Sequence, residues 1–337
     1  MSLNELWFLL VAVLFIGFFF LEGFDFGVGM SMRMLAKDEK ERTVLVSTIG
    51  PFWDANEVWL LTAGGALFAA FPHWYATMFS GYYLPLFAVL MLLIGRGVSF
   101  EFRRKHDHPN WTKTWDWVIF VSSTLIPLLF GVLFTSLLKG MPIDANMNMY
   151  AGFTDYINVY SVWGGLTLML LCLYHGLLYI TLRVDHDLRG RARSLALKVG
   201  VGVVVALVVF VGLSVLYTDI FEVRLVPVLI TIGFIVVMYA ASWLMTLKKA
   251  EKLSFTFSGL GIAGVISLIF VSLFPRVMIS SIDTAYNLTI TNAASGAYSL
   301  KVMTIVACSL LPFVLGYQIW SYYVFRKRVT QEDKHIY

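Results

Sequence analysis

The chain has 337 residues, of which 59% are hydrophobic and only 14% charged, with a formal net charge of +4. Its mean hydropathy is +0.78, whereas soluble domains carry about 25% charged residues. No soluble fold buries that much apolar surface, so a water-soluble enzyme is excluded and a bilayer is the solvent for most of the chain.

A spanning helix needs about 20 mostly apolar residues, and nine segments qualify: 5–30, 45–71, 79–102, 115–138, 158–183, 196–218, 226–247, 256–275 and 302–326. The runs are continuous, without the alternation of a barrel strand, so helices are predicted. The first run is read as a spanning helix and not a leader peptide. It has no basic n-region, Glu5 is its sole charge, and it leads straight into LEGFDFGVG without a small-residue cleavage site.

Alternate connections, from MRMLAKDEKERT through FRRKHDHPNWTK, LRVDHDLRGRARSLALK and LKKAEKL to the tail FRKRVTQEDKHIY, hold 20 of the 25 basic residues. The positive-inside rule then places the N-terminus outside and the C-terminus in the cytoplasm, an answer that requires an odd number of crossings. These basic loops read as orientation signals and contacts to lipid phosphate, not as nucleic-acid sites. The polar connections near 139–157 and 276–300 suit an exterior cap.

Intramembrane charge is the strongest signal. The second segment, GPFWDANEVWLLTAGGALFAAFP, carries Asp54 and Glu57 one turn apart. Such groups cost roughly 2.5–3.5 kcal/mol each on insertion scales and are kept for function. Entering from the cytoplasm near Val44, this helix carries Asp54 roughly 15 Å deep at 1.5 Å per residue. Glu22 and Asp25 share a face of helix one, and helix three brings Arg96 and Glu101 to the same side. Arg96 is expected to pair with Asp54 or Asp25, since an unpaired buried charge is very unfavourable. With Trp53, Asn56 and Thr62 nearby to hold water, the carboxylates resemble a proton relay. The plainer reading is a salt-bridge network that only fixes packing, and for Glu101 ordinary snorkelling serves almost as well.

Of six histidines only His175 is predicted to be intramembrane; His335 is in the tail. One histidine ligates at most one haem on one side, so His175 reads as a satisfied core residue. No metal site of several ligands is visible. Cys172 and Cys308 form no C-x-x-C and read as buried thiols. Gly23, Gly27, Gly29, Gly64 and Gly65, with Ala63 and Ala66, read as close helix contacts. The many Trp and Tyr residues near helix ends suit an interfacial belt.

FLEGFDFGVG at 20–29, GPFWDANEVWLLTAGGALFAAFPHWYATMFSGYYLPL at 50–86 and RGVSFEFR at 96–103 resemble subunit II of cytochrome bd-type quinol:oxygen oxidases. The similarity is strongest over 1–105 and continues through SLFPRVMISS at 272–281 to SLKVMTIVACSLLPFVLGYQIWSYYVFRK at 299–327. It implies an all-α membrane subunit of two four-helix bundles plus a peripheral helix, here 1–138, 158–275 and 302–326. It further implies a bacterial terminal oxidase that reduces oxygen to water with membrane quinol, drawing protons from the cytoplasm. The haems would sit on a partner, subunit I, with no catalytic residue assigned to this chain; a bound structural quinone is left open. Carried over by motif, the proton path falls on Asp25, Asp54, Arg96 and Glu101, joined by Glu57 from the spacing above. Trp59 falls where an oxygen route is proposed, and His175 matches no family role.

Two other classes stay open at this stage. A secondary transporter could use Asp25, Asp54 and Arg96 as a coupling site, although Pro85 and Pro127 interrupt only the first half where transporters break helices in both. A scaffold with an inert charge network fits everything except the depth of Asp54.

Overall fold

The structure is a computed structural model that describes residues 1–329; His335 and the rest of the basic tail beyond Val329 lie outside the described residues. The chain is helical almost throughout. In order the helices are α1 (Leu3–Leu35), α2 (Glu39–Ile49), α3 (Trp53–Ala70), α4 (Pro72–Gly81), α5 (Tyr83–Phe102), α6 (Pro109–Lys139), α7 (Phe153–Tyr156), α8 (Val159–Arg183), α9 (His186–Tyr217), α10 (Ile220–Val223), α11 (Leu225–Leu247), α12 (Glu251–Leu273) and α13 (Ala297–Val324). Start signals are local. Ser2 and Glu5 form a capping box at α1, Asp38 caps α2 and Asn158 caps α8, each accepting from a backbone N–H of the first turn.

Eight helices among the described residues are long and apolar enough to cross a membrane, against nine expected. The difference lies in segment 45–71. It is not one helix but α2 and α3, separated at Gly50–Pro51–Phe52. Pro51 supplies no backbone N–H for a continuing helix, and Phe52 begins α3 with no side-chain cap. Eighteen residues make α3 about 27 Å long at 1.5 Å each, but Asp54, Asn56 and Glu57 lower its hydropathy. Pro85 and Pro127, by contrast, interrupt nothing, for α5 and α6 run through them.

Helix α1 is the hub, packing against α8, α6, α3 and α12. Its crossing with α8 is backbone on backbone. A Cβ added to Gly27 would meet the Cys172 carbonyl at 2.1 Å, and one on Gly176 would meet the Gly27 Cα at 2.4 Å. Close approach of this kind drives helix association where lipid removes the hydrophobic incentive. Helix α13 is peripheral: it packs against α1 and α3, and Leu300 is its one fully buried residue. Cys308 lies exposed on that helix, contrary to the buried thiol expected; Cys172 is buried.

The two ends of the bundle are built differently. At one, a cap joins the 140–152 and 274–296 segments. Strand β1 (Arg276–Met278) pairs antiparallel with β2 (Leu288–Thr289), and Met141 bonds Ile279 and Ser281 through its backbone at 2.9 Å each. Asn4 ties the start of α1 to this cap through the Ile290 carbonyl at 2.8 Å. The opposite end is held by charge. Glu251 receives Arg189, Arg193 and Arg328, and Arg191 bridges Glu41 to the Leu35 carbonyl.

Candidate functional site

The buried charges converge where α1, α3 and α5 meet. Arg96, fully buried on α5, donates to Glu22 of α1 and to Glu57 of α3, the latter at 2.9 Å. Its pairing thus differs from the expected one: neither Asp54 nor Asp25 is its partner, because the rotation of α5 aims the guanidinium at the other two carboxylates. Phe26 and Phe100 wall the guanidinium, with ring centroids 4.9 and 5.1 Å from Cζ. These rings exclude water on two sides and add a cation–π attraction.

Asp25 is also fully buried, one turn beyond Glu22, and accepts from the Asn56 amide at 2.8 Å. Asn56 is a junction. Its carbonyl oxygen accepts from the Tyr322 hydroxyl at 2.9 Å and from Gln318 at 3.4 Å, both on α13. Gln318 in turn accepts from the Trp59 indole at 2.9 Å. Tyr322 stacks on Phe52 at 4.3 Å, so the polar chain Tyr322–Asn56–Asp25 starts at the break between α2 and α3.

Three carboxylates therefore face one guanidinium. Four atoms of the cluster, Glu22 Oε2, Asp25 Oδ1 and Arg96 Nε and Nη2, are buried without a protein partner. Nearly all buried polar groups find a partner in protein or water, so the two carboxylate oxygens have room to accept from water or to share a proton, and the guanidinium N–H groups to donate to water. Chemically the arrangement can hold and pass protons; the net excess of carboxylate gives it oxygens to protonate.

Asp54 does not sit in the middle of a continuous helix. It is the second residue of α3, directly after the break, and its side chain is exposed. Glu101 is exposed near the end of α5 and joins no ion pair among the described residues. Asp25, Glu57 and Arg96 are thus brought together, while Asp54 and Glu101 stand on the surface beside them. Gln318 and Tyr322 escaped the sequence reading. Their signal was a polar pair four residues apart on an otherwise apolar helix face.

Trp59 turns towards Gly17 of α1 and Gln318 of α13, and is not in the wall of a second feature. This is an apolar cavity of about 650 Å³ lined mainly from α3, α4, α5 and α6, with Phe15 of α1 and Phe270 of α12. Gly64 and Gly65 face this space, with nothing within 4 Å of an added Cβ, so they are not the close contacts expected of them. Trp74 also lines it, and its indole nitrogen is buried without a partner.

His175 is fully buried, with both ring nitrogens engaged: Nδ1 with Ser258 at 3.0 Å and Nε2 with the Phe20 carbonyl at 3.1 Å. Its ring stacks on Phe255 at 4.4 Å. It is a satisfied core residue, as its surroundings in the sequence indicated, and it offers no free nitrogen to a haem. Among the described residues no group of three or more His, Cys, Asp or Glu could hold a metal ion.

Comparison with known proteins bears on this geometry. The cytochrome bd terminal oxidase subunit II family model matches residues 3–325. Cytochrome bd ubiquinol oxidase subunit 2 of Bacillus subtilis is 57% identical over 336 residues, spanning 100% of this chain and 99% of that one. Cytochrome bd-I ubiquinol oxidase subunit 2 of Escherichia coli K12 is 35% identical, spanning 98% and 96%. In fold, the chain is similar to a structure of bd oxidase from Geobacillus thermodenitrificans, with a TM-score of 0.77 over 96% of this chain and 99% of that one at 14% identity. The chain belongs to the family of subunit II of cytochrome bd terminal oxidases, and so forms part of a membrane-bound quinol:oxygen oxidoreductase complex.

Proposed function

We propose that this subunit conducts protons from the cytoplasm towards a haem-bearing subunit I, and itself holds no haem. The observation that carries the reading is the buried cluster of Glu22, Asp25, Glu57 and Arg96, with carboxylate oxygens left free to take protons. Asn56 and Tyr322 extend it towards the basic end of the bundle, and Asp54 and Glu101 stand exposed beside it. In this reading subunit I covers Asp54, which places that carboxylate where protons pass between the chains. The charge of the loops supports an N-terminus outside and a basic, cytoplasmic face carrying the tail. The pair α2–α3 then makes the second crossing, with its break on the cytoplasmic side.

Placing the haems on subunit I is supported by His175, whose two ring nitrogens are already bonded and offer no axial ligand. A structural quinone does fit the apolar cavity: the space is large and apolar, and the unpaired Trp74 indole is a donor suited to a quinone carbonyl. An oxygen route at Trp59 would instead run between α1, α3 and α13, where its ring meets Gly17 and its indole bonds Gln318.

Asp54→Asn tests the central reading. The expected outcome is a complex that assembles with its full haem spectrum and unchanged quinol KM, and whose oxygen consumption falls by about a hundredfold, the low end of what proton transfer by a side chain supplies. Full turnover in the assembled variant would take Asp54 out of the path, and full turnover in Asp25→Asn as well would leave the buried charges with a packing role only.

A further inference from the structure

A second cavity, of about 700 Å³, opens at the basic end where α1, α2, α5 and α6 meet. Five Lys or Arg side chains line it, against three carboxylates. Two of those carboxylates are already committed: Asp116 bridges Arg103 at 2.7 Å and Arg42 at 3.2 Å, and Glu39 bonds the same two arginines. Arg33, Arg104 and Lys113 are left with no carboxylate partner among the described residues. The Arg33 guanidinium sits over the Trp117 ring with Cζ 3.7 Å from the centroid, and its N–H groups make no hydrogen bond among the described residues. Arg104 donates only to the Ser47 hydroxyl, at 3.2 Å. Its guanidinium is held below its ordinary pKa, first by burial and then by the neighbouring charge of Arg103. A bound anion would relieve both.

The surroundings say which anion. Trp117 is 44% exposed, and Val121 and Leu125 continue its face of α6 at four-residue spacing with 39% and 38% exposure. On α5, Phe102, Val98 and Ile94 form a matching stripe with 45%, 37% and 51%. Both stripes begin beside the cavity and run away from the basic end. Trp111, whose indole donates to the Phe102 carbonyl at 2.8 Å, and Trp115 mark the headgroup level between them. A soluble phosphate would use the cations and ignore the stripes. A phospholipid uses both.

We infer that the cavity between α1, α2, α5 and α6 is a binding site for an anionic phospholipid, with its phosphodiester held by Arg33, Arg104 and Lys113 and its acyl chains along α5 and α6. The test is native mass spectrometry of the delipidated two-subunit complex titrated with dioleoyl phosphatidylglycerol or dioleoyl phosphatidylcholine. The complex is expected to retain the anionic lipid in preference to the neutral one. Each cation near the surface contributes about fivefold in affinity, so Arg104→Gln with Lys113→Gln should weaken the anionic lipid roughly 25-fold. Lys301→Gln removes a charge from the start of α13, at the opposite end of the bundle, and should leave retention unchanged. Inorganic phosphate at millimolar concentration should not displace the lipid. Equal retention of the two lipids, or an unaffected double variant, overturns the site. So does phosphate binding that the double variant abolishes while lipid retention persists, which would identify a soluble-anion site. Should the double variant fail to assemble, as judged by its absorption spectrum and yield, Arg33→Gln carries the same expectation for a single cation, and retention equal to the parent's overturns the site.

Discussion

The two halves of the molecule solve the same problem by different chemistry. In α8, α9, α11 and α12 the buried polar groups away from the basic end are neutral and most close on one another, the Tyr239 and Ser272 hydroxyls being left without a partner. Tyr160 pairs with Ser214 at 3.0 Å, Tyr174 with Ser242 at 3.1 Å, Thr246 with Ser254 at 2.5 Å and His175 with Ser258 at 3.0 Å. Apart from the basic end, where Arg183, the Asp187–Lys198 stretch, Glu251 and Lys252 lie, these four helices carry no Asp, Glu, Lys or Arg. In α1, α3 and α5 the corresponding depth holds three carboxylates and a guanidinium, with bonding capacity left over. A helix bundle in lipid is therefore packed perfectly well here without charge. That weakens a scaffold reading of the charged half. A transporter reading suffers too, because the one broken crossing, at Gly50–Pro51, has no counterpart in α8 to α12.

The sharpest way to break the contrast is to remove the lone cation. Arg96→Met strands Glu22 and Glu57 as buried, uncompensated charges, and should destabilise the subunit by about 3–5 kcal/mol. Loss of the complex from membranes, or a large drop in its melting temperature, is the readout, and Arg96→Lys should recover part of it. Next comes the seam between the halves. Gly176→Ala forces a methyl group onto the Gly27 backbone and should cost about 1–3 kcal/mol, as overpacking does. Thermal denaturation of the purified complex measures it, and an unshifted melting curve would mean that the helices separate freely at that crossing. The smallest effects discriminate best. Tyr174→Phe removes one neutral bond and should cost about 0.6 kcal/mol, typical of interhelical hydrogen bonds in membranes, with turnover intact. Tyr322→Phe removes a bond of the same kind but should slow oxygen consumption. If both behave alike, the distinction between the halves is one of composition and not of role.

Most of the architecture was legible because a 20-residue apolar run admits few alternatives in a bilayer; α8 and α11 fall within a residue of the predicted 158–183 and 226–247. The failure at 45–71 is instructive. Hydropathy averaged over that window hides a break that Pro51 announces locally, and the proline rule was the better guide. Within the site, Glu22 and Asp25 on one face followed from helical spacing. The partner of Arg96 did not, because spacing fixes a face of its own helix and says nothing of how neighbouring helices are rotated. Contacts such as Asn56 with Tyr322, 266 residues apart, are beyond any local pattern. Gly64 and Gly65 misled for a related reason: a missing side chain serves equally to admit a neighbour or to leave room.

Helix α13 follows every other described helix in the chain, so it leaves the ribosome after them. Until it docks, Asn56 lacks Tyr322 and Gln318, and Trp59 lacks its acceptor. A truncated or stalled product would thus sit in the bilayer with its carboxylates present but the hydrogen-bonded chain towards the basic end unfinished. If protons take the proposed path, late closure of this kind would keep a partly made subunit from passing charge across the membrane.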